Sequence, residues 1–165
     1  MILSEKNAVC CFTGHRKIES CHTATIKPEL DRILNMMIGS GIKTFRTGGA
    51  MGFDTLAALT VLELREKDPE VRLELCLPCK EQTAKWDDES IAIYNDILER
   101  ADKVTYVSER YTKDCMLARN RFMVDGSVCC IAYCTNENAV RGGTAYTVRY
   151  AVKSGVKVIN LCRFI

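Results

Sequence analysis

The sequence predicts a doubly wound α/β domain, and three observations carry that prediction. Short apolar, strand-like runs alternate strictly with helix-like runs along the 165 residues. The crossovers between successive strand-like runs are long enough for parallel pairing, which needs about a dozen residues. Two glycine turns, Gly48-Gly49-Ala50-Met51-Gly52 and Gly142-Gly143-Thr144, each follow a strand-like run and open a helix-like one.

The first strand is read at Ala8 to Thr13, ending on Gly14-His15-Arg16. A helix from about Ile26 to Gly39 follows, with Ile26, Leu30, Ile33, Leu34 and Met37 on one stripe at helical spacing. Pro28 suits its first turn, and Gly39 and Gly41 stop it. Lys43 to Thr47 is a brief second strand feeding the first glycine turn, and Phe53 to Arg65 is a Leu- and Ala-rich helix ended by Lys67-Asp68-Pro69. Val71 to Leu77 is the third strand, closed by Pro78, and a polar stretch with Gln82 and Trp86 leads to a helix from about Ser90 to Arg100. Lys103 to Val107 gives the fourth strand, a loop through Tyr111 follows, and a helix covers about Lys113 to Val124. Val128 to Tyr133 is the fifth strand, Thr144 to Lys153 the last helix, and Val156 to Leu161 the last strand. Right-handed crossovers on both faces make this a Rossmann-like, mostly parallel sheet of about six strands, with residues 1–165 forming one domain.

Composition sets the class of partner. With 47% hydrophobic and 27% charged residues and a net charge of +2, the chain reads as an ordinary globular domain. That balance demands neither nucleic acid nor an anionic membrane. Met1-Ile2-Leu3 runs straight into Ser4-Glu5-Lys6-Asn7, which is no secretion signal, and the longest apolar run, Val128 to Cys134, is too short for a span. A cytoplasmic location is expected, so the ten cysteines are expected to be reduced packing residues. Cys76-Leu77-Pro78-Cys79 is a lone C-x-x-C without a second pair at zinc-ribbon spacing, so no metal site is expected. Oligomeric state, a homo-oligomer included, is left open.

The chemistry concentrates at predicted strand ends. Helix N-termini attract anions through free N–H groups and the helix dipole, and glycine lets backbone approach a phosphate. Gly48, Gly49, Met51, Gly52, Gly142, Gly143 and Thr144 are therefore candidate ligand-binding residues, although a tight turn also uses glycine for geometry alone. The fingerprints G-x-G-x-x-G and G-x-x-x-x-G-K-[ST] are absent, which argues against a standard NAD dehydrogenase or P-loop ATPase. Gly14, His15 and Arg16 leave the first strand where an arginine fork grips phosphate and a neutral histidine bonds a sugar or base. Arg119 and Asn120 can face the same edge from a helix that offers Leu117, Phe122 and Met123 to the core, or they and Arg121 are a surface face. Asp54 in the first turn of its helix binds ribose hydroxyls or a metal-bound phosphate, or else complements the dipole. No cofactor is required by any motif; Mg2+ would come with a phosphorylated ligand if Asp54 acts through metal. Trp86, four residues from Gln82 and on the same face if the segment is helical, either stacks on a base or packs in the core.

These residues, in this order, resemble the YpsA-like family of the SLOG superfamily, which includes the Smf/DprA and LOG proteins. The resemblance runs from Thr13-Gly14-His15-Arg16 through Gly48 to Asp54, Gln82, Trp86 and Arg119-Asn120-Arg121 to Gly142-Gly143-Thr144 and the last strand. It implies a Rossmann-like fold binding a nucleotide or nucleotide-derived ligand such as an ADP-ribose compound, in a family linked to cell division and stress in some bacteria. LOG relatives cleave the N-glycosidic bond of nucleoside monophosphates with a G-G-x-G-T-x-x-E motif and an upstream arginine. Gly143-Thr144 and Arg119 resemble those parts, with Met116 three residues before the arginine, but Thr147 stands at the glutamate position. A hydroxyl cannot replace the carboxylate of an oxocarbenium-type mechanism. The sequence thus favours a sensing or handling domain over a hydrolase using Asp54 or Asp125, and over DprA-like binding of single-stranded DNA, for which exposed aromatic candidates are few.

Overall fold

The computed structural model describes residues 8–165, so the reading of Met1 to Asn7 lies outside the described residues. Six strands form one wholly parallel sheet in the order β4-β3-β2-β1-β5-β6. They are β1 (Val9–Gly14), β2 (Thr44–Thr47), β3 (Arg72–Leu77), β4 (Lys103–Tyr106), β5 (Cys129–Tyr133) and β6 (Lys157–Asn160). Between them run α1 (Ile26–Gly39), α2 (Phe53–Lys67), α3 (Asp88–Arg100), α4 (Cys115–Asp125) and α5 (Gly143–Lys153).

Side chains alternate across a strand, so one sheet feeds two cores. On one face Cys10, Phe12, Phe45, Leu73, Leu75, Leu77 and Ile131 pack against the apolar stripes of α1, α2 and α3. On the other, Cys11, Cys76, Cys130 and Ala132 meet Met123 and Val124 of α4 and Ala145, Val148 and Ala151 of α5. Small residues on that second face let α4 and α5 lie close to the sheet. The cysteines are part of this packing: Cys10 pairs with Cys129 and Cys11 with Cys130 in the β1–β5 register, and all ten are free thiols.

The departures from the sequence reading are local. Helix α3 begins at Asp88 rather than Ser90, because the Asp87 carboxylate accepts from the Ser90 N–H at 2.9 Å and caps the helix earlier. Gln82 and Trp86 lie in a turn before α3, not on a helix. Helix α4 starts two residues late and places Phe122 outward, 42% exposed, with the Arg46 guanidinium 5.8 Å from its ring. Leu161 leaves the last strand for a short 3-10 turn to Arg163. No helix among the described residues is long and apolar enough to cross a membrane.

Candidate functional site

A doubly wound sheet binds ligands beyond the C-terminal edge where the strand order reverses. Here β1 connects toward β2 on one side while its other neighbour, β5, connects toward β6, so the crevice lies between β1 and β5. A cleft of about 360 Å3 opens there. It gathers Gly14, His15 and Arg16 from the end of β1, Asp54 from α2, Arg119 and Asn120 from α4, and Gly143 and Thr144 from α5.

The two glycine turns do not contribute alike. At α5, Gly142 has φ of 109°, and no side chain caps the helix. The orphan N–H groups of its first turn therefore remain available at the cleft rim. At α2, where no side chain caps the helix either, two N–H groups of the turn are engaged: the Phe53 N–H donates to the His15 carbonyl at 3.1 Å, and the Ala50 N–H to Asp54 Oδ2 at 3.2 Å. Asp54 is the resident anion of that turn. The glycines there serve close packing. A Cβ on Gly48 would lie 2.5 Å from the Arg119 guanidinium, and one on Gly52, at φ of 79°, would collide with the Arg16 carbonyl. Gly48, Gly49 and Gly52 consequently do not line the cleft; Gly142 lines a small side pocket, and Met51 an adjoining chamber.

Arg119 is 5% exposed and ties strands together. Its Nη1 donates to the Gly48 carbonyl after β2 and, at 3.3 Å, to the Cys76 carbonyl of β3. Its Nε donates to Asn120 Oδ1 at 2.8 Å, and Nη2 makes only a 3.9 Å contact with Met116 Sδ. Burial pulls its pKa down while the charge of Asp54 opposes that pull. Asp54, 6% exposed, is pushed up to about 6 by burial, with Arg119 and the Ala50 N–H acting in the opposite sense. The cleft floor therefore holds a fixed cation and a carboxyl that titrates near neutrality.

His15 is fixed by a donor behind it. The Thr135 backbone N–H donates to His15 Nε2 at 3.0 Å, so that nitrogen carries a lone pair and the neutral ring holds its proton on Nδ1. Burial lowers the His15 pKa in the same direction. Arg16 is exposed and appears in no ion pair among the described residues. It lines both the cleft and the next cavity.

Other candidates fall elsewhere. Thr147 is buried and donates to the Gly143 carbonyl at 2.6 Å, so its hydroxyl is spent within α5. Asp125, at the far end of α4, accepts from the Tyr150 hydroxyl at 2.6 Å and does not line the cleft. Arg121 points to Tyr146 at 3.0 Å. Burial raises the Cys76 thiol to about 11 and also raises Cys79, which disfavours thiolate chemistry at that C-x-x-C.

Some of the site was not anticipated. Thr135, which sets the His15 tautomer, lies two residues past β5, and its place at the strand-end edge was the available signal. Tyr111, read only as a loop residue after β4, lines the adjoining chamber of about 470 Å3 with Met51, Gln82, Trp86 and Met116.

Known proteins resemble this chain in sequence or in fold. A UPF0398 protein of Halalkalibacterium halodurans is 32% identical over 85 residues, covering 52% of this chain and 45% of the relative. One from Bacillus cereus strain G9842 is 27% identical over 132 residues, covering 79% and 71%. The match spans about half the length of the Halalkalibacterium halodurans relative and 55% of a Bacillus pumilus one. Among solved structures, DNA processing protein A from Streptococcus pneumoniae superposes with a TM-score of 0.63 at 16% identity, over 93% of this chain and 50% of that one. The Helicobacter pylori protein of that name, described by its single-stranded DNA binding mode, gives 0.63 at 16% over 93% and 65%. These are likenesses of fold. Family membership rests on the sequence itself: residues 10–161 match the model of YpsA, described as the YspA SLOG family. With nearly all of its strands, its cleft and both glycine turns inside that match, the chain belongs to the YpsA family of SLOG proteins.

Proposed function

We propose that the chain binds a nucleotide or nucleotide-derived ligand, ADP-ribose-like compounds included, in a sensing or handling role. The observation that carries this reading is the pairing of an uncapped α5 N-terminus with Arg16 across one cleft at the β1/β5 switch point. Backbone N–H groups and a guanidinium fork together suit a phosphate. His15 Nδ1–H and Asn120 add donors for a sugar, and the adjoining chamber gives the remainder of a nucleotide room. Mg2+ enters this proposal only with the phosphate, near Asp54.

A hydrolase is the second reading, and Asp54 is what favours it. A buried carboxyl near pKa 6 at a cleft is the kind of group that serves as a general acid or base. Against the LOG mechanism in particular stands Thr147, bonded into its own helix.

Thermal shift with AMP, ADP, ADP-ribose and a thymidine oligonucleotide, each with and without Mg2+, tests the reading. A ligand at 100 times its Kd stabilises by about 2.7 kcal/mol. For a chain of this size that raises Tm by about 5–10 °C. A shift with ADP or ADP-ribose that Arg16→Ala abolishes supports the proposal. A shift with the oligonucleotide alone refutes it in favour of a DNA-binding module, and adenine release from AMP favours the enzyme.

A further inference from the structure

We propose that the small side pocket at the first turn of α5 is a second phosphoryl subsite, so that the site takes a pyrophosphate-bridged ligand rather than a monophosphate; this rests on the nucleotide reading above. The pocket adjoins the cleft, and His15, Gly143 and Thr144 line both. Thr144 is the residue that points to a ligand. It is 9% exposed, and its hydroxyl makes no hydrogen bond among the described residues. Nor is that hydroxyl sealed in, because the one sealed and unpaired side-chain polar atom among them is Gln82 Oε1. Since the residue is otherwise enclosed, its hydroxyl meets solvent through the two cavities that it lines. Thr147, one turn on, shows the contrast: its hydroxyl is returned to the Gly143 carbonyl at 2.6 Å. A polar group left open and unpaired in a buried position is one that a ligand can satisfy.

Backbone and charge agree with this. The N–H groups of Gly143, Thr144 and Ala145 have no acceptor among the described residues, and Ala145 borders the pocket but not the cleft. The cleft carries Asp54 beside Arg16 and Arg119, whereas no carboxylate lines the pocket. Arg141 lines it instead, exposed and in no ion pair among the described residues. Glu137, the acid of the same loop, is held by Arg163 at 2.9 Å. Arg149 donates to the Glu137 and Ala139 carbonyls at 3.0 and 2.7 Å, which steadies the loop that presents Arg141. At about 140 Å3 the pocket is well below the ~300–1,000 Å3 that encloses a drug-sized ligand, so it admits a phosphoryl group and no base. One phosphoryl then lies between Arg16 and α5 in the cleft, and the next between Arg141 and α5 in the pocket. Each meets a guanidinium fork and free N–H groups, and both share the Thr144 hydroxyl.

The test is titration calorimetry of the intact protein with inorganic phosphate, pyrophosphate, AMP and ADP. Pyrophosphate should bind about tenfold or more tighter than phosphate, and ADP than AMP, as one added charge-assisted contact implies. Arg141→Gln, at an exposed position that spares the fold, should bring each pair to within about twofold. Lys153→Gln removes the same charge from the exposed far end of α5 and should leave both ratios at their wild-type values. ADP no tighter than AMP, or a preference that survives Arg141→Gln, would overturn the second subsite and leave the cleft standing. An equal loss in Arg141→Gln and Lys153→Gln would reduce the preference to net charge and overturn it as well. Failure of all four compounds to bind would remove the cleft reading, and this one with it.

Discussion

Asp54→Asn should make the protein more stable at alkaline pH, not less. The Asp54 carboxyl is pushed from the ordinary 3.8 up to about 6 by burial, despite Arg119 and the Ala50 N–H. A folded-state pKa above the unfolded one means that the native state holds the extra proton. The associated stability is fully present below pH 3.8 and is lost as pH rises through about 6. At about 1.4 kcal/mol per pH unit, that loss approaches 3 kcal/mol. Asparagine keeps an oxygen for the Ala50 N–H and stays neutral. Its amide hydrogens lack an evident acceptor, which returns about 1 kcal/mol. The variant should therefore match or slightly trail wild type at pH 4 and exceed it by about 2 kcal/mol at pH 8. Urea denaturation at unit pH intervals measures this, read as variant minus wild type so that exposed carboxylates such as Asp87 cancel. A difference independent of pH, or a variant less stable at pH 8, would refute the reasoning and make Asp54 a stabilising partner of Arg119.

Arg119→Ala removes a buried cation from the Gly48 and Cys76 carbonyls, leaving the Gly48 carbonyl only the Gln82 amide; a loss of about 3 kcal/mol in denaturant titration is expected. That makes it a poor probe of catalysis unless folding is checked first. Gly52→Ala brings a Cβ against the Arg16 carbonyl at φ of 79° and should destabilise by more than 1 kcal/mol in the same assay. Under native conditions a thiol reagent should modify exposed Cys21 quickly and half-buried Cys162 slowly, with the eight buried thiols reacting only on unfolding. Rapid native reaction at Cys76 or Cys79 would contradict their raised pKa values.

The fold was legible because its signals are periodic. Alternating apolar runs placed all six strands and five helices, and strand-end position alone put Gly14, His15, Arg16, Gly143 and Thr144 at one edge. What sequence could not convey is which hydrogen bonds are already made. Gly48, Gly49 and Gly52 look like a phosphate loop until Asp54 and the His15 carbonyl are seen to occupy two of its donors, the Ala50 and Phe53 N–H groups. Arg119 reads as a free cation and is a strand tie; Gln82 reads as an ordinary polar residue and is an unpaired acceptor. Such distinctions depend on contacts between residues dozens of positions apart, which neither spacing nor composition encodes.

The central claim is that a phosphorylated ligand sits between Arg16 and the start of α5. Amide chemical-shift mapping during titration with ADP locates it most directly, because free N–H groups respond to an arriving phosphate. The largest shifts should fall at Arg16, Gly143 and Thr144, with smaller ones at Gln82 and Trp86. Saturable shifts confined to residues away from the β1/β5 edge, or none at millimolar ADP and ADP-ribose, would contradict it.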